Sequence, residues 1–423
     1  MSKEIINNNK IIGIFENKKF NPENIYLFLI IFFIFISLFV NIPSDINNIG
    51  ISAPILGIGD RIFYINESVK GFGYEDYSGN ILYPLILKII SYITSLFGED
   101  QYSKLWNFII IMITSSFSII SLKLLKISST ILFNKNVSNI ASILYIINPY
   151  TYFYSLSGGI TNFLILGVSC ILYLFSKRLK KNNHLNKNNT WDLFFIVLAS
   201  TYLSFLRPSG ALFGFVILLF LFWEKIKNEI LNQTFKNKNK VEITIVILGI
   251  IIVTYNINIS LDYSLSTVTL FTNEGGQFFG YPRIYLRDQL TTQTTDIFIN
   301  IKHGLYLFIW KITDFVSGLS DIRDTHSQFM NEGIILPFVF RTFTGIFILF
   351  PINLFSFLGI ISNIKFILKS QIWIVLFSAF VAVCPSLLGV SMSRYLMMFY
   401  PPFIIFSAKM IHDTFLGIKR NKI

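Results

Sequence analysis

The sequence predicts an all-α polytopic membrane protein of about ten transmembrane helices, on three observations. Hydrophobic residues fill 53% of the 423 positions and charged residues only 14%, with 45 Phe and a mean hydropathy of +0.60. A soluble domain carries about a quarter charged residues, so a soluble enzyme is excluded. The apolar residues also arrive in blocks of roughly 17 to 22, the length at which a helix crosses a hydrocarbon core. Finally, Lys and Arg fall in short clusters between those blocks. Despite the net charge of +12, that is the pattern of membrane orientation and not of a face that binds a nucleic-acid backbone.

Taken in order, residues 1–24 form a polar tail carrying Lys3, Lys10, Lys18 and Lys19, followed by the apolar run Ile25 to Ile42. That run leads into Pro43 and an Asn-rich stretch with no small-residue cleavage site, so it reads as a retained first span. Further spans are expected at 105–122, 139–157, 160–176, 191–206, 210–223, 243–260, 343–362, 372–390 and 395–411. With the N-terminus inside, 23 of the 35 Lys and Arg fall on the cytoplasmic connections and 12 on the opposite ones, while acids are distributed the other way. Both termini are therefore predicted cytoplasmic.

Only two connections are long, residues 43–104 and 261–342, and both fall on the outer side. Residues 25–423 thus read as a single transmembrane domain whose function faces outward. Within the first loop, Ile81 to Phe97 is apolar but interrupted by Pro84 and Lys88, which predicts an interfacial or re-entrant helix. Gly304–Leu319, with Lys311 and Asp314, is read the same way. No repeat of fixed period is evident, which disfavours solenoids and inverted-repeat transporters.

Several chemistries fall away on residue type alone. The two cysteines, Cys170 and Cys384, lie inside apolar blocks and cannot form a disulfide framework or a CxxC metal site. The four histidines, His184, His303, His326 and His412, form no HExxH pair, and neither GxxxxGK[ST] nor GxGxxG after a strand is present. No metal site and no nucleotide site is predicted. No Asp or Glu falls in the middle of an expected span, although Asp192 lies at one edge, and this disfavours a proton-coupled transporter.

What remains gathers at the outer face. Asp60 follows the first span by a few residues, with Arg61, Tyr64, Glu67 and then Glu75 and Asp76 behind it. A carboxylate at a lipid–water boundary is partly desolvated, which raises its basicity and suits a general base; the competing reading is a set of ordinary loop acids. Arg207, Arg283, Arg287, Arg341 and Arg394 stand at expected outer helix ends. Arginine near hydrocarbon must snorkel or pair, so each either anchors its helix or joins the others on an anion such as a phosphate. Arg394 and Arg207 are favoured because a nearby Pro fixes each helix end. Asp321, Asp324 and His326 offer either a divalent-cation site or a solvated loop, the latter preferred.

Taken together, these residues resemble the GT-C class of membrane glycosyltransferases, which use polyprenyl-phosphate-linked sugars. The likeness is strongest to the branch holding the PIG-V type mannosyltransferases and the bacterial relatives of protein mannosyltransferases. It rests on Gly59-Asp60-Arg61-Ile62-Phe63-Tyr64 with Gly73-Tyr74 and Leu82-Tyr83-Pro84-Leu85, on Asn148-Pro149-Tyr150 and Ser155 leading into Asn162-Phe163-Leu164, on Phe205 to Gly210, and on Ser393 to Leu396 with Pro401. Two departures stand out: Gly59 replaces the Trp that often precedes the first-loop Asp, and the acid expected near Thr161-Asn162 is missing.

The resemblance implies an inverting transfer from a polyprenyl-phosphate donor to a lipid or glycan acceptor. Asp60 would be the base, Arg394, Arg207, Arg287 and Arg283 would hold the donor phosphate, and Tyr64, Glu75, Asp76 and Tyr83 would contact substrate. Some members of the class use a divalent metal at the first-loop carboxylate and others do not. The alternatives are an O-antigen-type polymerase or ligase and a lipid-glycan flippase or transporter. Short cytoplasmic connections point to a bacterial inner membrane.

Overall fold

The computed structural model describes residues 21–39, 81–99, 103–148, 159–182, 190–232, 237–273, 345–388 and 399–420, with a few isolated positions between them. Every regular element among them is helical. In chain order these are α1 (Pro22–Phe39), α2 (Leu82–Ser95), α3 (Lys104–Leu132), α4 (Lys135–Ile147), α5 (Thr161–Asn182), α6 (Thr190–Ser204), α7 (Pro208–Asn232) and α8 (Asn237–Asn273). A π-helical turn, Gly345–Leu349, then runs into α9 (Phe350–Ser362), followed by α10 (Ile364–Lys369), α11 (Ile372–Leu388) and α12 (Tyr400–Arg420).

Ten of these helices stand on the ten apolar runs of the sequence, which supports the all-α membrane reading. Four contain stretches long and apolar enough to cross a membrane: Phe108–Leu132, Thr161–Leu179, Pro208–Lys227 and Lys240–Ile259. The boundaries differ from expectation where polar residues still support helix. α3 continues ten residues past 122 to Leu132, and α8 runs on to Asn273, because a helix does not stop where hydrocarbon stops. α4 does the opposite and ends at Ile147, short of the expected 157. The reason is Pro149: its ring disfavours helical backbone in the residue before it, and Asn148 takes φ −70°, ψ 113°.

Local chemistry fixes the helix starts. Ser103 and Asn134 cap α3 and α4 by accepting from the backbone N–H of Trp106 at 3.2 Å and Val137 at 2.9 Å. Pro208 opens α7, where its missing N–H costs nothing. α3 packs on α5, α4, α1 and α2, while α7 packs on α6, α8 and α11. α12 sits between the two sets, touching α4, α5, α9 and α11. Its close approach to α9 requires Gly359, where a Cβ would lie 2.1 Å from the Phe406 carbonyl oxygen.

The apolar segment at Ile81 to Phe97 forms α2, whose 14 residues reach about 21 Å, too short to cross. Tyr83, Pro84, Leu87, Ile90 and Thr94 are buried at helical spacing while Lys88, Ile89 and Tyr92 are exposed, the stripe of an amphipathic helix. It lies antiparallel along the first turns of α3. At one end Tyr83 meets Phe163, which in turn packs on Phe117 of α3; at the other, the Trp106 indole N–H donates to Ser91 Oγ at 2.9 Å.

Candidate active site

Of the candidate catalytic, phosphate-binding and substrate-binding residues, Arg207 and Tyr83 lie in the described structure, and the folding around them is specific. Arg207 occupies the turn between α6 and α7, half-buried. The turn is tight because α6 and α7 come into backbone contact: a Cβ on Gly210 would meet the Leu203 carbonyl oxygen at 2.3 Å, and one on Gly214 the Ser200 carbonyl at 2.7 Å. The Arg207 carbonyl starts α7 by accepting from Ala211 N–H at 2.9 Å, and the Leu203 carbonyl closes α6 by accepting from Leu206 N–H at 3.2 Å. Asn256 of α8, itself buried, donates to Ser204 Oγ at 2.8 Å and holds the end of α6 from the other side.

Three of the sequence segments converge on this turn. The Leu82 N–H donates to the Phe205 carbonyl at 3.0 Å, so the start of α2 is fastened two residues from Arg207. Tyr83 is fully buried, its ring edge-on to Phe163 at 5.4 Å between centroids. The Tyr202 hydroxyl donates to the Phe163 carbonyl at 3.2 Å, tying the beginning of α5 to α6. A fourth segment arrives from the far end of the chain: Phe399, just before α12, stacks on Phe213 of α7 at 5.5 Å.

Beneath Phe163 lies a buried polar set that joins α3, α5 and the connection between α4 and α5. Asn162 donates through Nδ2 to the Thr114 carbonyl and to Ser155 Oγ, both at 3.0 Å. Thr114 Oγ1 donates back to the Ser155 carbonyl at 2.6 Å, and Thr151 Oγ1 to the Asn148 carbonyl at 2.7 Å. Tyr26, Ser118 and Tyr145 extend this set toward α1 with hydroxyl contacts of 2.5 and 2.9 Å. Asn162 Oδ1 is buried and accepts nothing. Where the resemblance expects an acid, the amide serves as a double donor.

Asp60, Tyr64, Glu75, Asp76, Arg283, Arg287, Arg341 and Arg394 lie outside the described residues, as do Asp321, Asp324 and His326. Among the described residues no group of three or more His, Cys, Asp or Glu gathers as a metal site.

Sequence reasoning missed a second assembly. At the ends of α5, α6, α7 and α8 opposite the Arg207 turn, Lys177 pairs with Asp192 at 2.7 Å and Arg178 with Glu224 at 3.2 Å. Lys225 pairs with Glu242, which also accepts from Thr190 Oγ1 at 2.8 Å. Gln371, just before α11, donates to the free oxygen of Glu224 at 2.6 Å. Two of these ion pairs link the helices of one hairpin, across α5–α6 and α7–α8. That spacing, a base closing one apolar run and an acid opening the next, is the signal that was available.

Residues 83–255 match the family model described as dolichyl-phosphate-mannose-protein mannosyltransferase. No curated protein matches the sequence. Among solved structures, the archaeal oligosaccharyltransferase AglB from Archaeoglobus fulgidus, in complex with an inhibitory peptide and a dolichol-phosphate, is similar at 13% identity and a TM-score of 0.44, over 94% of this chain and 51% of that one. A crystal structure of the Archaeoglobus fulgidus oligosaccharyltransferase with Zn and sulfate is similar at 13% identity and a TM-score of 0.39, over 81% and 41%. The chain therefore spans about half the length of these structures, or less. The matched region takes in α2 through the middle of α8 and includes the Arg207 turn.

Proposed function

We propose that the protein moves a sugar from a polyprenyl-phosphate donor to the hydroxyl of a lipid or glycan acceptor at the non-cytoplasmic face of a membrane. One observation carries the reading: the family match spans the turn on which α2, α5 and α7 converge, and that turn presents an arginine. A guanidinium held at a rigid helix junction is suited to an oxygen-rich anion, which it can meet with two parallel hydrogen bonds.

In this reading the acceptor hydroxyl attacks the anomeric carbon, and its proton passes to Asp60. The bond from that carbon to the phosphate oxygen breaks in the same displacement, so the configuration inverts and polyprenyl phosphate leaves with one more negative charge. Arg207 and Arg394, with Arg283 and Arg287, stabilise that charge. The stacking of Phe399 on Phe213 supports bringing Arg394 toward Arg207, since each aromatic lies within six residues of its arginine. Tyr64, Glu75 and Asp76 contact the sugar or the acceptor, and Tyr83, enclosed against Phe163, shapes the wall behind them.

The test uses purified protein in proteoliposomes with labelled polyprenyl-phosphate mannose and a mixed lipid–glycan acceptor pool, following release of polyprenyl phosphate. Wild type is expected to release it, and Asp60→Asn to slow release by about 10²–10⁴-fold. Intact donor with wild type overturns the proposal. Full release by Asp60→Asn moves the reaction to a polymerase or ligase type that relies on loop arginines instead.

A further inference from the structure

The ion-paired end of the bundle takes no part in the transfer reaction described above, yet charged side chains join five segments there. Three cations, Lys177, Arg178 and Lys225, meet three carboxylates, Asp192, Glu224 and Glu242, so the set is electrically balanced. The side chains of Glu242, Asp192, Lys225 and Arg178 are exposed by only 2%, 5%, 8% and 9%. They lie between helices and not on a solvated rim. The contacts join α5 to α6, α5 to α7, and α7 to α8, and Gln371 brings in the segment leading to α11. Phe175 lies under the Arg178 guanidinium at 5.9 Å and closes that side with an apolar face.

A balanced set has no field with which to attract a charged ligand. What it resists is separation: parting any one pair leaves an ion in a low-dielectric interior without its partner, which is strongly unfavourable. We propose that this end is an ionic seal that stays shut throughout the working cycle, so that α5, α6, α7, α8 and α11 part, if at all, only at the Arg207 end. A flippase must open alternately on both sides. A chain with one sealed end instead takes up and releases its lipid-linked substrates through the other, a consequence that rests on the transferase reading although the seal itself does not.

The experiment uses the full chain in nanodiscs with Cys170 and Cys384 replaced by Ser and a reporter thiol at Ser370→Cys. Ser370 is 6% exposed and adjacent to Gln371. A water-soluble maleimide should label the reporter slowly, and at the same rate with and without polyprenyl-phosphate mannose in the bilayer. Arg178→Met or Glu224→Gln should raise the labelling rate by at least about tenfold. The swapped pair Arg178→Glu with Glu224→Arg should return it to the parent rate. Labelling of the parent that accelerates with the lipid donor overturns the proposal, and so does a swapped pair that labels as fast as the single variants. Should the single variants fail to fold, the parent with and without lipid and the swapped pair still decide it. A constant labelling rate together with no release of polyprenyl phosphate leaves the seal standing and removes the transferase reading.

Discussion

The two ends of the helical bundle solve the problem of polar groups in an apolar molecule in opposite ways. At one end every charge named above meets its opposite, through Lys177–Asp192, Arg178–Glu224 and Lys225–Glu242. At the other the helix junctions are held by backbone bonds, glycine contacts, aromatic edges and neutral amides and hydroxyls, around a turn that carries Arg207. The first arrangement leaves no net charge to offer and serves to hold. The second fixes the backbone that carries Arg207 through neutral contacts, at the position where the proposed reaction puts the donor phosphate. The difference separates what keeps the bundle together from what acts on a substrate, and substitutions at the two ends should diverge accordingly.

The largest effect on stability is expected at the paired end. Lys225→Met or Glu242→Gln leaves a buried partner ion uncompensated and should cost about 3–5 kcal/mol, read as a lowered melting temperature of the purified protein. Replacing both with apolar residues should recover most of that loss, because the pair's own desolvation is removed along with its attraction. If both single variants melted like wild type, the description of this end as the holding end would fail.

A smaller effect is expected from Gly210→Ala, whose new Cβ would press on the Leu203 carbonyl. Overpacking of this kind costs roughly 1–3 kcal/mol, and here it should also displace the Arg207 turn, so donor turnover should fall along with the melting temperature. Gly98→Ala provides the contrast. Gly98 has φ 72° but open space around it, so a penalty of about 1 kcal/mol is expected with turnover unchanged.

Asn162 separates a structural amide from a missing acid. Asn162→Asp replaces two donors with an acceptor facing the Thr114 carbonyl, and should cost about 1–3 kcal/mol. A rise in transfer activity on this substitution would instead mean that the position calls for a carboxylate. The smallest effect belongs to Trp106→Phe, which removes the indole N–H to Ser91 bond that fastens the far end of α2. Its cost of roughly 0.5–1.5 kcal/mol should appear as local amide exchange in α2 with little change in global melting.

The fold was largely legible in the sequence because span length and apolar composition are properties of a contiguous segment. α5, α6, α7 and α11 stand close to where the apolar runs place them. α4 was misjudged at its end because its apolar run continues past Asn148 while its backbone cannot, and the cue was the Pro149 that follows. The site was less legible. Arg207 could be named from a helix end and a proline, but the Phe205 carbonyl that fastens Leu82, and the Phe163 ring that meets Tyr83, lie far from those partners along the chain, and no local pattern joins them. The paired end was missed for a different reason. Lys and Glu near span ends look like solvated boundary charges until the hairpin folds and presents Lys225 to Glu242.

The central claim is that the donor phosphate is recognised at the Arg207 end and not at the paired end. Its most direct test is the affinity of polyprenyl phosphate for the protein in nanodiscs, measured for wild type, Arg207→Met, Arg207→Lys and Arg178→Met. Arg207→Met should weaken binding by at least about tenfold, the loss of one charge-assisted contact, with Arg207→Lys between it and wild type and Arg178→Met indistinguishable from wild type. Unchanged affinity in Arg207→Met with loss in Arg178→Met would contradict the account.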